Sequence, residues 1–235
     1  MGDQDMSQRD NTTPYNAADY DAGVRKVIPF YEHLHEQAID LIKGIVPEPR
    51  LWLDTGCGTG HLVELAIVEF PRTRFVLADP SKAMLEQATQ RLRNADPDQV
   101  SFMHSPTCET MAIRLGQAPD VITAVMCHHY AKAQERRKMT QVCRELLAHG
   151  GAYVTFENIR PDSEEATKIG LQRWWRFQQS RGRDDSTIEQ HLARFGTEYF
   201  PITVSEHLQV LKDCGFRTAQ LLWYSHMQAG FYAVK

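Results

Sequence analysis

The sequence predicts an α/β protein with a doubly wound, mostly parallel sheet and helices on both faces. Three observations predict it. Short apolar runs alternate with segments of helical periodicity through the first two thirds of the chain. The first run, "RLWLDTG", passes into a loop with glycines at alternate positions, Gly56, Gly58 and Gly60, directly before a helical segment. The second run, "RTRFVLADP", ends in Asp79. Sheets of this kind bind ligands at the carboxyl ends of their strands, near the point where strand order reverses, so both features fall on the binding edge.

The elements follow in order. Residues 1–20 are polar and rich in Asp, Asn and Gln, and are expected to form a flexible N-terminus before a single domain over 21–235. Leu34, Ala38, Leu41, Ile42 and Ile45 recur at helical spacing, giving a helix that runs to about Gly44, ahead of "PEP". "RLWLDTG" reads as a buried strand and "HLVELAIVEF" as the helix opening after the glycines. "RTRFVLADP" is a second strand, and "SKAMLEQATQRLRNA" a helix with Ser81 as its N-cap. "VSFMHSP" and "APDVITAVMCHHY" read as strands three and four, "AQERRKMTQVCRELLAHGG" as a helix, and "AYVTFENI" as strand five. Residues from about 160 to 200 break the rhythm and are expected to form a helical insertion of one or two helices. "TVSEHLQVLKDCGF" is a further helix, and "TAQLLWYSHMQAGFYAVK" closes the chain as a hairpin.

With 235 residues, 42% of them hydrophobic, the chain can bury one substantial core. A net charge of −4 provides no global basic field, which argues against nucleic acid and anionic membrane as partners. No apolar run reaches the eighteen or so residues of a membrane span, and the start lacks the apolar core of a signal peptide. The five cysteines are scattered without a C-x-x-C pair, which fits reduced thiols and a cytoplasmic setting.

Glycine costs backbone entropy, so three in one loop need a reason: a tight turn, or a ligand lying against bare backbone at a helix N-terminus. Asp79 stands where a carboxylate accepts ribose hydroxyls, which points to a nucleoside ligand. The dinucleotide fingerprint would place its third glycine at position 61, where His61 stands. No Gly-Lys-Ser/Thr follows to make a triphosphate loop.

"LDTGCGTG" followed by "VLADPSKAMLEQA" resembles the first two motifs of the class I S-adenosylmethionine-dependent methyltransferases, and the order of elements from about 25 to 235 is similar to that family throughout. The resemblance implies a Rossmann-like methyltransferase fold: a seven-stranded sheet with its last strand antiparallel, an N-terminal helical lid and the helical insertion before the last strands. It implies S-adenosyl-L-methionine as cofactor, with Asp54 at its methionine end, the backbone of Gly56, Cys57, Gly58 and Gly60 beneath it, and Asp79 on the ribose. Pro80 and Met84 would flank the adenine, with Met126 and the lid residue Tyr20 completing the pocket; Tyr15 and Arg25 are further lid candidates. The family's acidic residue after strand three is absent, since Pro106 stands there; Ser105, Thr107 or a backbone carbonyl would substitute.

Methyl transfer from a sulfonium is an in-line displacement, so the protein chiefly positions the acceptor and, where the acceptor needs it, removes a proton. In this fold the end of strand four faces the methyl group, which makes His128 and His129 the candidate catalytic residues. Each reads as general base or as pocket wall, and as a metal ligand only without support from HxxxH spacing; no metal is expected. Arg173, Arg176, Arg181 and Arg183 interleave with Trp174, Trp175 and Phe177, either to recognise an acidic or aromatic acceptor or as the solvated face of an amphipathic helix. The expected function is methyl transfer to a small-molecule acceptor, with a homodimer left open. The alternatives are an RNA or protein methyltransferase, or a non-methylating S-adenosylmethionine-binding protein.

Overall fold

The computed structural model describes residues 10–105 and 115–235. Seven strands form one sheet in the order β3-β2-β1-β4-β5-β7-β6. They are β1 (Leu51–Thr55), β2 (Arg74–Asp79), β3 (Val100–His104), β4 (Val121–Val125), β5 (Ala152–Asn158), β6 (Thr218–Ser225) and β7 (Gln228–Val234). The first five are parallel; β7 runs antiparallel to both β5 and β6. Because β1 is flanked by β2 on one side and β4 on the other, the order reverses there, and a crevice opens above the carboxyl ends of β1 and β4.

Alternation along the strands divides the core between the two faces. Trp52, Phe75, Val121 and Phe156 pack on one face under α1 (Tyr20–Val27), α2 (Tyr31–Ile45), α3 (His61–Glu69) and α4 (Lys82–Arg91). Leu53, Ile122, Tyr153 and Phe231 pack on the other against Cys143 and Leu147 at α5 (Ala133–Leu146), with Leu211 from a later helix. The lid is two helices because Pro29 forces the preceding Ile28 into an extended conformation, and Phe30 then turns through a left-handed φ of 55°. Ser81 caps α4, its hydroxyl accepting from the Met84 N–H at 3.0 Å.

The insertion forms α6 (Glu164–Ser180) and α7 (Asp185–Ala193); the last helix, α8 (Val204–Asp213), carries a capping box of Thr203 and Glu206. Trp174 of α6 is fully buried, and its indole N–H donates to the Val27 carbonyl at 2.6 Å, pinning the insertion to the lid. Arg173, Arg176 and Arg181 are exposed and Arg183 is half-buried, the amphipathic arrangement, with Trp174 bonded to the lid.

Strand four is shorter than its apolar run. Met126 takes a left-handed φ of 56°, and His128–Tyr130 make a single 3₁₀ turn. His128 and His129 therefore leave the sheet plane instead of ending a strand.

Candidate active site

The three loop glycines all have left-handed φ values, 63°, 54° and 77°, a region that costs L side chains about 1–2 kcal/mol. Their surroundings differ. A Cβ on Gly56 would lie 2.6 Å from the Cys127 Cβ, so this glycine lets β4's exit pass against the loop. A Cβ on Gly60 would meet Ala88 and Leu77 at 3.1 Å, so that one seats α3 against α4 and the sheet, facing away from the crevice. A Cβ on Gly58 would meet nothing within 4 Å. Gly58 thus presents its bare backbone to open space, while Gly56 and Gly60 each also serve packing.

That space is a cleft of about 670 Å³, lined by Tyr20, Gly56, Gly58, Asp79, Pro80, Met84, Ser105, Met126 and His128, together with Asp10 to Thr13. Its size suits a nucleoside joined to an amino acid. Asp79 sits at its base, one carboxylate oxygen accepting the Gly58 N–H at 2.9 Å and the other the Ser81 N–H at 2.8 Å. Burial raises its pKa against these two hydrogen bonds. The carboxylate thus holds the glycine loop in place.

Asp54 lies in an adjoining hollow with Cys57, Gly58, Tyr20 and Met126. It accepts a hydrogen bond from Thr123 Oγ1 at 2.6 Å, and Thr123 in turn accepts from the Trp52 indole at 2.9 Å. Burial pushes the Asp54 carboxyl up to about 7 despite the Thr123 bond. A cationic ligand beside it would draw it back toward the charged form. Thr107 and Pro106 lie outside the described residues; Ser105 is in the cleft wall, its N–H donating to the Asp79 carbonyl at 3.0 Å.

His128 and His129 are both buried, and the turn that carries them is built around Glu157 of β5. The Glu157 carboxylate accepts the His129 N–H at 2.8 Å, the His128 N–H at 3.3 Å and the Thr155 hydroxyl at 2.7 Å, and lies 2.8 Å from His129 Nδ1. Burial opposes its charge, yet the hydrogen bond and charge of His129 hold the carboxyl down at about 2. His128 places Nδ1 3.2 Å from the Tyr153 hydroxyl, and burial lowers its pKa.

The two rings face different spaces. His128 lines the cleft, whereas His129 lines a second hollow with Tyr15, Tyr20, Met126, Tyr130, Asn158, His191, Arg194 and Tyr199. Tyr20, Met126 and Tyr130 belong to both walls, so the strained Met126 turn stands where cleft and hollow meet. Among the described residues, two polar atoms at the hollow, the Tyr15 hydroxyl and His191 Nδ1, are buried without a hydrogen-bond partner.

Three contributors escaped the sequence reading. Glu157 left a signal, a carboxylate inside the otherwise apolar "AYVTFENI". Asp10, within the stretch expected to be flexible, accepts from the Ser81 hydroxyl at 2.6 Å and borders the cleft. Arg91 ties the lid to the loop by binding Asp21, Glu64 and the Thr59 carbonyl, while Thr59 donates to Asp21 at 2.8 Å. Of the lid candidates, Tyr20 reaches the cleft and Tyr15 the hollow. Arg25 instead pairs with Glu32 at 2.6 Å and lines neither.

Residues 53–153 match the model of a methyltransferase domain family. The chain is 23% identical over 220 residues to the carboxy-S-adenosyl-L-methionine synthase of Nautilia profundicola, covering 93% of this chain and 92% of that one. The synthase of the same name from Trichodesmium erythraeum is 23% identical, with 92% and 85% covered. Among solved structures, an N-methyltransferase of Bradyrhizobium japonicum in complex with S-adenosyl-L-homocysteine superposes with a TM-score of 0.64 at 13% identity, covering 94% of both chains. The magnesium protoporphyrin IX methyltransferase of Synechocystis gives 0.60 at 18%, covering 94% and 95%.

Proposed function

We propose, for a chain that is a class I S-adenosylmethionine-dependent methyltransferase, that the acceptor is a small molecule seated in the hollow beyond Met126. S-adenosyl-L-methionine would lie in the cleft, with its ribose on Asp79, its methionine end toward Asp54 and its adenine between Pro80 and Met84. Its methyl group would point past Tyr20 and Met126. The observation that carries this reading is the wall shared by the two spaces, because in-line transfer needs donor and acceptor to meet across one thin boundary.

His129 is the ring placed to take an acceptor's proton. Glu157 engages Nδ1, and among the described residues no partner holds Nε2. A carboxylate so placed fixes ring orientation and stabilises the imidazolium formed on proton transfer, leaving Nε2 as the base. His128, against Tyr153, becomes a wall of the cofactor cleft. The unpaired Tyr15 hydroxyl and His191 nitrogen favour an acceptor with polar groups.

A second reading rests on Arg194. The curated relatives are named for a carboxylated cofactor, and a carboxylated methyl group is an anion. Among the described residues Arg194 is the one Lys or Arg lining the hollow; it already holds Glu198 at 2.6 Å and the Thr12 carbonyl at 2.8 Å. Incubating the enzyme with S-adenosyl-L-methionine and metabolite pools separates the two. Acceptor-dependent release of S-adenosyl-L-homocysteine supports methyl transfer, and a cofactor heavier by one carboxyl group supports the second reading.

We place the protein in the cytoplasm on its scattered cysteines, which include no C-x-x-C pair; Cys57, Cys127 and Cys214 are free thiols. Among the described residues no helix is long and apolar enough to cross a membrane. The acidic balance makes nucleic acid a poor acceptor, and the exposed Phe30 and Ile169 are where a homodimer contact is first to be sought.

A further inference from the structure

Beside the glycine loop two histidines and a glutamate converge from two helices, the histidines lining the hollow that also holds Asp54. Glu32 and His35 stand one turn apart on α2, the i, i+3 spacing that puts both side chains on one face. His61 opens α3, directly after Gly60. One donor atom from each of the three lies within 4.8 Å of the others, and the His35 and His61 rings meet edge to face with centroids 5.0 Å apart. His35 is 2% exposed, and among the described residues its Nδ1 has no hydrogen-bond partner. A buried imidazole left unsatisfied is costly, and a ligand that engages the ring offsets that cost.

We propose that Glu32, His35 and His61 form a binding site for one divalent transition-metal ion, zinc by ligand type, that clasps the lid to the glycine loop. Two imidazoles and a carboxylate with an open fourth position are a common zinc donor set, while hard ions such as magnesium favour all-oxygen sites. A tetrahedral ion with bonds of about 2.0–2.2 Å needs donors about 3.4 Å apart, within reach of small side-chain rotations from the observed gathering. The outer groups fit as well. Glu64 lies 3.2 Å from His61 Nδ1, the place of the carboxylate that orients a metal-bound histidine through its other nitrogen. Nε2 of that ring, now 2.6 Å from Glu32, gives up any proton to solvent and faces the ion.

The competing occupant is Arg25, whose guanidinium holds Glu32 at 2.6 Å and comes within 3.5 Å of His61 Nε2. Its side chain and that of Glu32 are 39% and 43% exposed, so both border solvent, and Arg25 can withdraw or stay on the outer carboxylate oxygen. The site has a mechanical sense. α2 follows the lid helix carrying Tyr20, and His61 follows the loop carrying Gly58, so an ion there holds both walls of the cofactor entrance together.

The test uses the full-length, untagged chain, stripped with chelator and titrated with cobalt(II) and then zinc. The expected result is one ion per chain, a tetrahedral cobalt spectrum, and a thermal midpoint raised by roughly 5–10 °C at a hundredfold excess over the dissociation constant. Glu32→Gln should remove the tetrahedral spectrum, and Glu64→Gln should weaken binding about 10–100-fold. Both residues are half-buried, so these variants remain informative if His35→Ala does not fold. Only an octahedral, aqueous-type cobalt spectrum, or binding equal in wild type, Glu32→Gln and His61→Gln, would overturn the proposal.

Discussion

The proposed cofactor half, residues 51–91, and the proposed acceptor half, built from the 126–130 turn, β5 and the insertion, meet at Met126 and are organised differently. In the first, the contacts that set the glycine loop run between neighbouring loops: Asp79 holds the Gly58 amide, and Ser81 caps the helix that follows, while Asp54 reaches Thr123 on β4. In the second, every candidate group is set by a distant partner. Glu157 holds both histidines from 28 and 29 positions away, and Trp174 reaches Val27 across 147. One half is a motif and the other an assembly, so substitutions should act locally in the first and through remote partners in the second.

The sharpest break between the halves is expected at the Glu157–His129 pair. If His129 takes the acceptor's proton, His129→Asn should lower kcat by roughly 10²–10⁴-fold while the dissociation constant for S-adenosyl-L-methionine stays within about twofold. Glu157→Gln should lower kcat by a similar factor despite touching neither ligand. Calorimetry with stopped-assay kinetics checks both. A loss of cofactor affinity equal to the loss of rate would dissolve the distinction.

The glycines divide the cofactor half itself. Gly56→Ala combines left-handed strain of about 1–2 kcal/mol with overpacking against Cys127 of about 1–3 kcal/mol, and should show as a lowered urea midpoint. Gly58→Ala should lose only the strain, yet weaken cofactor binding more than Gly56→Ala does. Equal effects on stability would place Gly58 in a packing role too.

Asp79→Ala should weaken cofactor binding by roughly 1.5–3 kcal/mol, the value of hydrogen bonds to a charged group. Unchanged affinity in titration calorimetry would locate the ribose elsewhere.

The smallest effect is a pH dependence from Asp54. Its folded pKa of about 7 lies above the unfolded value of 3.8, so in the free protein this group opposes folding above about pH 7, and the penalty fades as pH falls toward the unfolded pKa. Cofactor binding runs the other way. The cationic methionine end favours the carboxylate, so affinity should fall below pH 7 by at most about tenfold per unit. Asp54→Asn should flatten that limb; a limb that survives belongs to another group.

These differences explain what could be read in advance. Helical and strand periodicities are local, so "HLVELAIVEF" and "AYVTFENI" were legible, and so was the loop between Asp54 and Asp79, whose geometry is set by a few consecutive backbone angles. The end of β4 was not. "VMC" continues the apolar run of the strand before it, and nothing local announces that Met126 turns left-handed to bring the next residues over Glu157. Gly56 and Gly60 looked equivalent to Gly58 because a one-dimensional string does not carry the nearness of Cys127, Ala88 and Leu77.

By itself, then, the sequence determined the order of elements, the doubly wound sheet and the nucleoside edge of the site, because each follows from the period of buried side chains and the conformational freedom of glycine. Tertiary structure alone decided which histidine meets which carboxylate, where the lid is tied to the loop, and that Glu32, His35 and His61 gather their donor atoms within 4.8 Å of one another. The physical reason is the range of the forces. Backbone preference acts over a few residues, whereas a buried charge or imidazole must find its partner wherever the packing of the sheet's two faces brings one within hydrogen-bond distance.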